Sequence, residues 1–131
     1  ANSRRLEKSL RLQNDDLEID YNLYEAGLSR PKVKAADFHG KDAYVAQREL
    51  PEQAAYLCTF VLEDTTDDKG VVRYPVGHWP LLDPESKEVI IDSHGRRSYT
   101  TSVAFGPSLG QNIAMGYLPA DRANPTNVSD K

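Results

Sequence analysis

The sequence has few cysteines and histidines, and it has no long apolar run. Its 131 residues include one cysteine and three histidines. A single cysteine cannot form an internal disulfide, and Cys58 lies in an apolar run that indicates a buried, reduced thiol. The histidines are not paired at metal-ligand spacing, so we predict no metal site. No apolar run approaches the roughly 20 residues of a membrane-spanning helix, so no membrane partner is predicted.

Basic residues are also fewer than acidic residues. The chain has 16 basic and 20 acidic residues, for a net charge of −4. Its basic spots, at residues 30–34 and 96–97, are short, whereas a nucleic-acid binder usually carries a basic stripe with interleaved aromatic residues. Nucleic acid is therefore not an expected partner. The first eight residues contain no apolar segment typical of a secretory signal. The predicted location is cytoplasmic.

The two parts of the chain differ in texture. Residues 3–13 fit the end of a helix or a strand, and periodicity leaves both open. Residues 42–49 are good helix formers that end before Pro51. From residue 54 onward, short apolar runs alternate with turn signals and predict strands; these runs are residues 56–62, 71–76, 88–92, 98–105 and 113–118. The predicted fold class is α+β: a short helical or strand N-terminal segment (residues 1–50), then a small antiparallel β-barrel (residues 51–131).

One motif invites a catalytic interpretation. Residues 106–110, GPSLG, satisfy the G-x-S-x-G pattern of the hydrolase nucleophile elbow. That elbow needs a helix after the serine and a histidine later in the chain. Here residues 111–117 indicate a strand, and no histidine follows Ser108. A turn between two strands is the simpler interpretation, and the hydrolase is rejected.

Other polar and aromatic features have ordinary structural explanations. Residues 92–97, DSHGRR, could gather an anion with a glycine turn and two guanidiniums, but a solvated hairpin turn is favoured. The only tryptophan, Trp79, is expected to be a core anchor. Glu7 lies among basic neighbours, where a surface salt bridge is the default. Its carboxylate could also accept paired hydrogen bonds from an amino-pyrimidine edge.

Four blocks in order resemble the glycine-cleavage T-protein (aminomethyltransferase) family, and most closely the folate modules of sarcosine and dimethylglycine dehydrogenases. Residues 5–11, RLEKSLR, resemble the family's R-(L/M)-E-K-G-Y-R. Residues 24–28, YEAGL, match (P/Y)-(L/Y)-E-A-G-L, and residues 37–43, DFHGKDA, resemble D-F-I-G-K-E-A-L. The longest block, residues 107–119, PSLGQNIAMGYLP, is similar to P-S-L-G-K-N-I-A-M-G-Y-V-P.

The resemblance implies a tetrahydrofolate-dependent module that moves a one-carbon unit from an aminomethyl or N-methyl donor to folate. It assigns residues 1–50 to the tail of the folate-binding domain and residues 51–131 to most of the C-terminal β-barrel domain. By the resemblance Glu7 contacts the pterin ring, and Arg30 is a second candidate folate contact. FAD is implied only if a separate oxidoreductase domain exists.

The family's catalytic aspartate lies upstream of the R-L-E block, so no catalytic residue is assigned to this chain. Expected partners are folate and either the remaining part of the module or a second copy that covers an open barrel edge. A non-catalytic folate-binding or interaction module is the alternative, because fold alone does not fix function.

Overall fold

A computed structural model describes residues 2–29 and 32–123 of the chain. Three strands, β1 (Ala55–Leu62), β2 (Thr100–Gly106) and β3 (Gln111–Pro119), form one antiparallel sheet. Their order across the sheet is β1-β3-β2, so the third strand of the sequence is in the centre. The short N-terminal helix precedes this sheet, which confirms the predicted α+β class. The helices and strands are α1 (Asn2–Glu7), α2 (Lys41–Arg48), β1 (Ala55–Leu62), β2 (Thr100–Gly106) and β3 (Gln111–Pro119).

The GPSLG motif is the turn of the β2–β3 hairpin. The carbonyl of Gly106 accepts hydrogen bonds from the backbone N–H groups of Leu109 and Gly110. Gly110 has a φ of 68°, a left-handed conformation that glycine adopts without steric cost. β3 follows at once, so a strand stands where a hydrolase would have a helix. The turn predicted from the sequence is confirmed.

The core lies where α1 packs against the sheet. Leu6, the buried residue of α1, is 1% exposed. It joins one cluster with β1 and β3 residues, which are Ala55, Leu57, Ile113, Met115 and Tyr117. Burial of one leucine side chain stabilises a fold by roughly 2 kcal/mol. The burial of Leu6 therefore holds α1 on the sheet, and its neighbours Arg5 and Glu7 are placed with it.

Two of the five predicted strands are wrong. Residues 71–76 and 88–92 form only isolated bridges, which pair Thr66 with Val72, Leu82 with Val89 and Ile91 with Arg97. Most side chains of residues 71–76 are exposed, including 76% of Tyr74. A strand needs a packed face as well as apolar residues. These segments have the composition of strands but lack a surface to pack against.

The expectation for Trp79 is also wrong, because 56% of the residue is exposed. Its backbone is hydrogen-bonded to β2. The Trp79 N–H donates to Oγ1 of Thr100, and its carbonyl accepts from the Thr100 N–H. Cys58, expected to be buried, is half-buried; burial still raises the pKa of its thiol.

Both helices settle points raised by the sequence. The predicted helix at residues 42–49 is confirmed as α2, and the undecided N-terminal segment begins as α1. Within residues 2–29 and 32–123, no helix is long and apolar enough to cross a membrane.

Candidate functional site

Glu7 ends α1 and is only partly exposed, close to the β2–β3 turn. Its carboxylate contacts that turn with both oxygens. Oε1 accepts the backbone N–H of Ser108 at 2.7 Å, and Oε2 accepts the Ser108 hydroxyl at 3.0 Å. The two residues are 101 positions apart in the sequence. The carboxylate of the R-L-E block and the serine of the GPSLG turn therefore form one local arrangement.

The other side of α1 is held by Arg5. Its Nη1 donates to Oδ2 of Asp16 at 2.7 Å, and its Nη2 donates to the Ser102 hydroxyl on β2 at 2.8 Å. Its Nε donates to the side chain of Asn2 at 2.9 Å. All three ends of the guanidinium fork are thus engaged, which fixes the side chain's orientation. Arg5 anchors the helix that carries Glu7 and is not presented to a ligand.

Asp16 is the centre of this anchor, with no exposed surface. Burial alone raises the pKa of its carboxyl, but hydrogen bonds from Thr101, Ser102, Leu12 and Arg5 outweigh burial and leave the pKa lowered. The carboxylate is therefore ionised and saturated with donors. Its backbone carbonyl also accepts the hydroxyl of Tyr117 at 2.7 Å.

A stacked aromatic pair continues from there. The rings of Tyr117 and Tyr21 are 3.5 Å apart and almost parallel. The guanidinium of Arg96 lies over the Tyr21 ring, with its Cζ 4.3 Å from the ring centre. Burial raises the pKa of Tyr21 to about 12, so its hydroxyl stays protonated at neutral pH. The pair joins β3 to the irregular segment after α1.

The 92–97 hairpin is not the solvated turn that the sequence favoured. Ser93, His94 and Gly95 are exposed, but Asp92 is buried and only 18% of the Arg96 side chain is exposed. Arg96 donates to Asp92 Oδ2 at 2.7 Å and pairs with both carboxylate oxygens of the buried Glu25. Burial disfavours the charge of Arg96, but its bonds with Glu25 and Asp92 raise its pKa further above the ordinary value. A guanidinium satisfied by two carboxylates is not available to bind an anion.

The two site residues proposed from the sequence, Glu7 and Arg30, have different outcomes. Glu7 is placed at the α1 end as described, and Arg30 lies outside the described residues. Sequence reasoning missed Ser108 as a partner of Glu7, and missed Asp16 and Glu25 as buried carboxylates. The GPSLG motif did single out Ser108, but nothing in the local sequence links it to a residue 101 positions away. In the part of the chain that the structure describes, no three metal-binding side chains are grouped for a metal ion.

The arrangement leaves Glu7 with unused acceptor capacity. An ionised carboxylate offers about four lone-pair sites, and Ser108 occupies one on each oxygen. One site on each oxygen remains for a ligand. Because Ser108 already bridges the two oxygens, the remaining sites diverge, and each can accept one donor, such as a ring N–H or an exocyclic amino group. Glu25, in another of the matching blocks, is instead consumed by its ion pair with Arg96.

Comparison with known proteins agrees with this organisation. The family model described as the glycine cleavage T-protein C-terminal barrel domain matches residues 77–129. The aminomethyltransferase of Moorella thermoacetica is 33% identical over 117 residues, which cover 88% of this chain and 27% of that protein.

Two further relatives carry the same name. The aminomethyltransferase of Koribacter versatilis is 28% identical over 97% of this chain and 30% of its own length. That of Desulfitobacterium hafniense is 32% identical over 91% of this chain and 28% of its own. The chain thus spans less than a third of the curated relatives it matches. It belongs to the glycine cleavage T-protein (aminomethyltransferase) family and corresponds to the C-terminal part of that family's proteins.

Proposed function

We propose that this chain is part of a tetrahydrofolate-dependent aminomethyltransferase module and that Glu7 binds the pterin ring. The observation that carries the proposal is the placement of the Glu7 carboxylate. It is fixed by Ser108 on one side and by the anchored helix α1 on the other, with one acceptor site free on each oxygen. The amino-pyrimidine edge of a pterin presents N–H donors, and a free site on the carboxylate can accept one of them.

The chemistry of the module comes from the folate, which supplies the nitrogen that receives the one-carbon unit. The residues of this chain act by orientation: Glu7 holds the pterin at a fixed angle, and α1 and the hairpin turn exclude water from one side of it. Positioning of this kind accounts for a large share of the rate in reactions between two bound groups. We assign no proton transfer to any residue of this chain, and no catalytic residue.

The division of labour within the module is part of the proposal. Residues 1–50 are the tail of the folate-binding domain and residues 51–131 are most of the C-terminal barrel domain. β1 and β2 are the edges of the three-stranded sheet. An uncovered edge pairs readily with another chain, so the remaining part of the module or a second copy would cover one of them. A cytoplasmic location fits such a module, with Arg30 as a further folate contact.

The proposal also concerns the identity of the one-carbon donor. The relatives are named aminomethyltransferases, which supports glycine cleavage as the setting. A sarcosine or dimethylglycine donor is the variant suggested by Lys8 in RLEKSLR, because the dehydrogenase modules also have a lysine directly after R-(L/M)-E. FAD would be required only with a separate oxidoreductase domain.

The test is an affinity measurement by calorimetry with tetrahydrofolate under reducing conditions. We expect saturable binding at or below about 1 mM, which corresponds to about −4 kcal/mol, with one charged hydrogen bond contributing about 1.5–3 kcal/mol. Glu7→Gln keeps the size of the side chain but replaces one acceptor by a donor, and should weaken binding at least tenfold. Glu52→Gln is the matched control, because Glu52 is exposed and lies in the segment between α2 and β1.

One form of the non-catalytic alternative, the interaction module, gives a different pattern. An interaction module with no folate site would show no saturable heat, and Glu7→Gln would change only the stability of the fold. Wild-type binding that persists in Glu7→Gln would also contradict the proposal.

A further inference from the structure

Ser108 has two hydrogen-bond donors directed at a single carboxylate. Its backbone N–H and its hydroxyl each reach a different oxygen of Glu7, at 2.7 Å and 3.0 Å. Most exposed serines in turns bond to water or to their own backbone. This one is exposed, yet both of its polar groups are committed to a side chain 101 positions away. The contact therefore does more than close the turn, which is already closed by backbone bonds to the Gly106 carbonyl.

The turn that carries Ser108 is a rigid support. Two backbone bonds to the Gly106 carbonyl close it. A Cβ added at Gly106 would lie 2.5 Å from Cδ1 of Ile113, so the turn sits directly on the core. Glu7 is supported in the same way from the other side, because Leu6 is in the core and Arg5 is bound to Asp16 and Ser102. The carboxylate is held between two elements that cannot shift independently.

The consequence concerns the direction in which the free acceptor sites point. An unsupported glutamate at a helix end samples several rotamers, and a ligand must select one of them at a cost in affinity. Two donors from one residue remove that freedom and hold the remaining acceptor site of each oxygen in a fixed direction. Support of this kind is the general means by which a binding group is preorganised.

We infer that Ser108 is the positioning residue of the pterin contact: its two donors hold the Glu7 carboxylate in one orientation, so that a free acceptor site faces the 2-amino group of the amino-pyrimidine edge. The inference rests on the proposed role of Glu7 in folate binding and extends it to the barrel domain. Residues 1–50 supply the carboxylate and residues 51–131 supply its orientation. The C-terminal domain thereby takes part in ligand recognition through one serine, without touching the ligand.

The test compares three variants in folate affinity. Ser108→Ala removes the hydroxyl donor and keeps the backbone N–H, and should weaken tetrahydrofolate binding about threefold to tenfold. Ser108→Thr keeps the hydroxyl and should restore most of the wild-type affinity. Ser93→Ala, at another exposed turn serine, should have no effect. Thermal unfolding of each variant shows whether the fold itself has changed.

A ligand analogue separates positioning from general damage. In an analogue of tetrahydrofolate with hydrogen in place of the 2-amino group, one donor for Glu7 is absent. Wild type and Ser108→Ala should bind this analogue with nearly equal affinity, because the contact between Glu7 and the 2-amino group cannot form in either. Equal weakening for both ligands would show that Ser108 acts only on the fold and would overturn the inference.

The failure of the inference and of the proposed function give different results. If Glu7→Gln weakens binding while Ser108→Ala binds like wild type, the positioning role is wrong and the folate role stands. If Glu7→Gln itself binds tetrahydrofolate like wild type, the proposed function fails, and the inference fails with it.

Discussion

Nη1 of Arg5 lies 2.7 Å from Oδ2 of Asp16, a carboxylate with no exposed surface. The pair joins α1 to the irregular segment after it, and through Thr101 and Ser102 to β2. Arg5 is two residues from Glu7 on α1, so the buried ion pair helps to fix the position of the candidate binding residue. The stability of this pair is accessible to direct measurement.

Asp16→Asn should destabilise the fold by about 3 kcal/mol, because it leaves the largely buried charge of Arg5 without its main partner. The measurement is the free energy of unfolding in urea. Asp15→Asn is the matched control: its carboxylate is 3.9 Å from Arg5 and its side chain is 39% exposed. That variant should lose less than about 1 kcal/mol. Equal losses in the two variants would contradict the central place of Asp16.

The pH dependence of stability should show the same carboxylate. The pKa of Asp16 in the fold is lowered from its ordinary value of 3.8. The folded state therefore binds this proton more weakly than the unfolded state. The stabilisation is fully present above pH 3.8 and is lost as the pH falls from there through the folded pKa. The difference in unfolding free energy between wild type and Asp16→Asn should shrink over this range; a constant difference would rule out the assignment.

Arg96→Lys should cost about 2 kcal/mol or more, although it conserves the charge. A lysine cannot bond Asp92 and Glu25 together with a planar fork, nor stack on the Tyr21 ring in the same way. Thermal unfolding measures the loss, with Arg97→Lys on the exposed side of the same hairpin as control. A fold that tolerates both substitutions equally would show that the hairpin is the solvated turn after all.

Gly116→Ala should destabilise β3 by about 2 kcal/mol or more, since overpacking in a tight contact is costly. A Cβ at this position would lie 2.5 Å from the backbone carbonyl oxygen of Tyr99. Gly70→Ala provides the comparison, because Gly70 has open space around it and a φ of 76°. Its cost should be only the strain of that conformation, about 1 kcal/mol. The reverse order of the two losses would contradict the close approach of β3 and Tyr99.

The sequence predicted the features that depend on neighbours in the chain. α2, the three main strands and the GPSLG turn follow from residues within a few positions of one another. It failed where long-range packing decides: residues 71–76 have strand composition but no face to cover them, and Trp79 is held by its backbone. Glu25, one partner of Arg96, and Ser108, the partner of Glu7, lie 71 and 101 positions away, so the local patterns around 92–97 and around Glu7 could not show them.

The family resemblance reached further than the local pattern, but it did not separate roles within a block. Arg5 and Glu7 stand two residues apart in the same block, and one is an internal anchor while the other faces the hairpin turn. Glu25, in a second block, is consumed by Arg96. Only the contacts of each side chain distinguish an anchor from a candidate ligand contact.

The most direct measurement for the central claim is a nuclear magnetic resonance titration of the whole chain with tetrahydrofolate, followed at the backbone amide of Ser108. That N–H donates to the carboxylate proposed to receive the pterin, so its resonance reports on any new bond made there. We predict a saturable shift at Ser108 and at the end of α1, and no such shift in Glu7→Gln. Shifts confined to the 92–97 hairpin, or none at millimolar folate, would contradict the account.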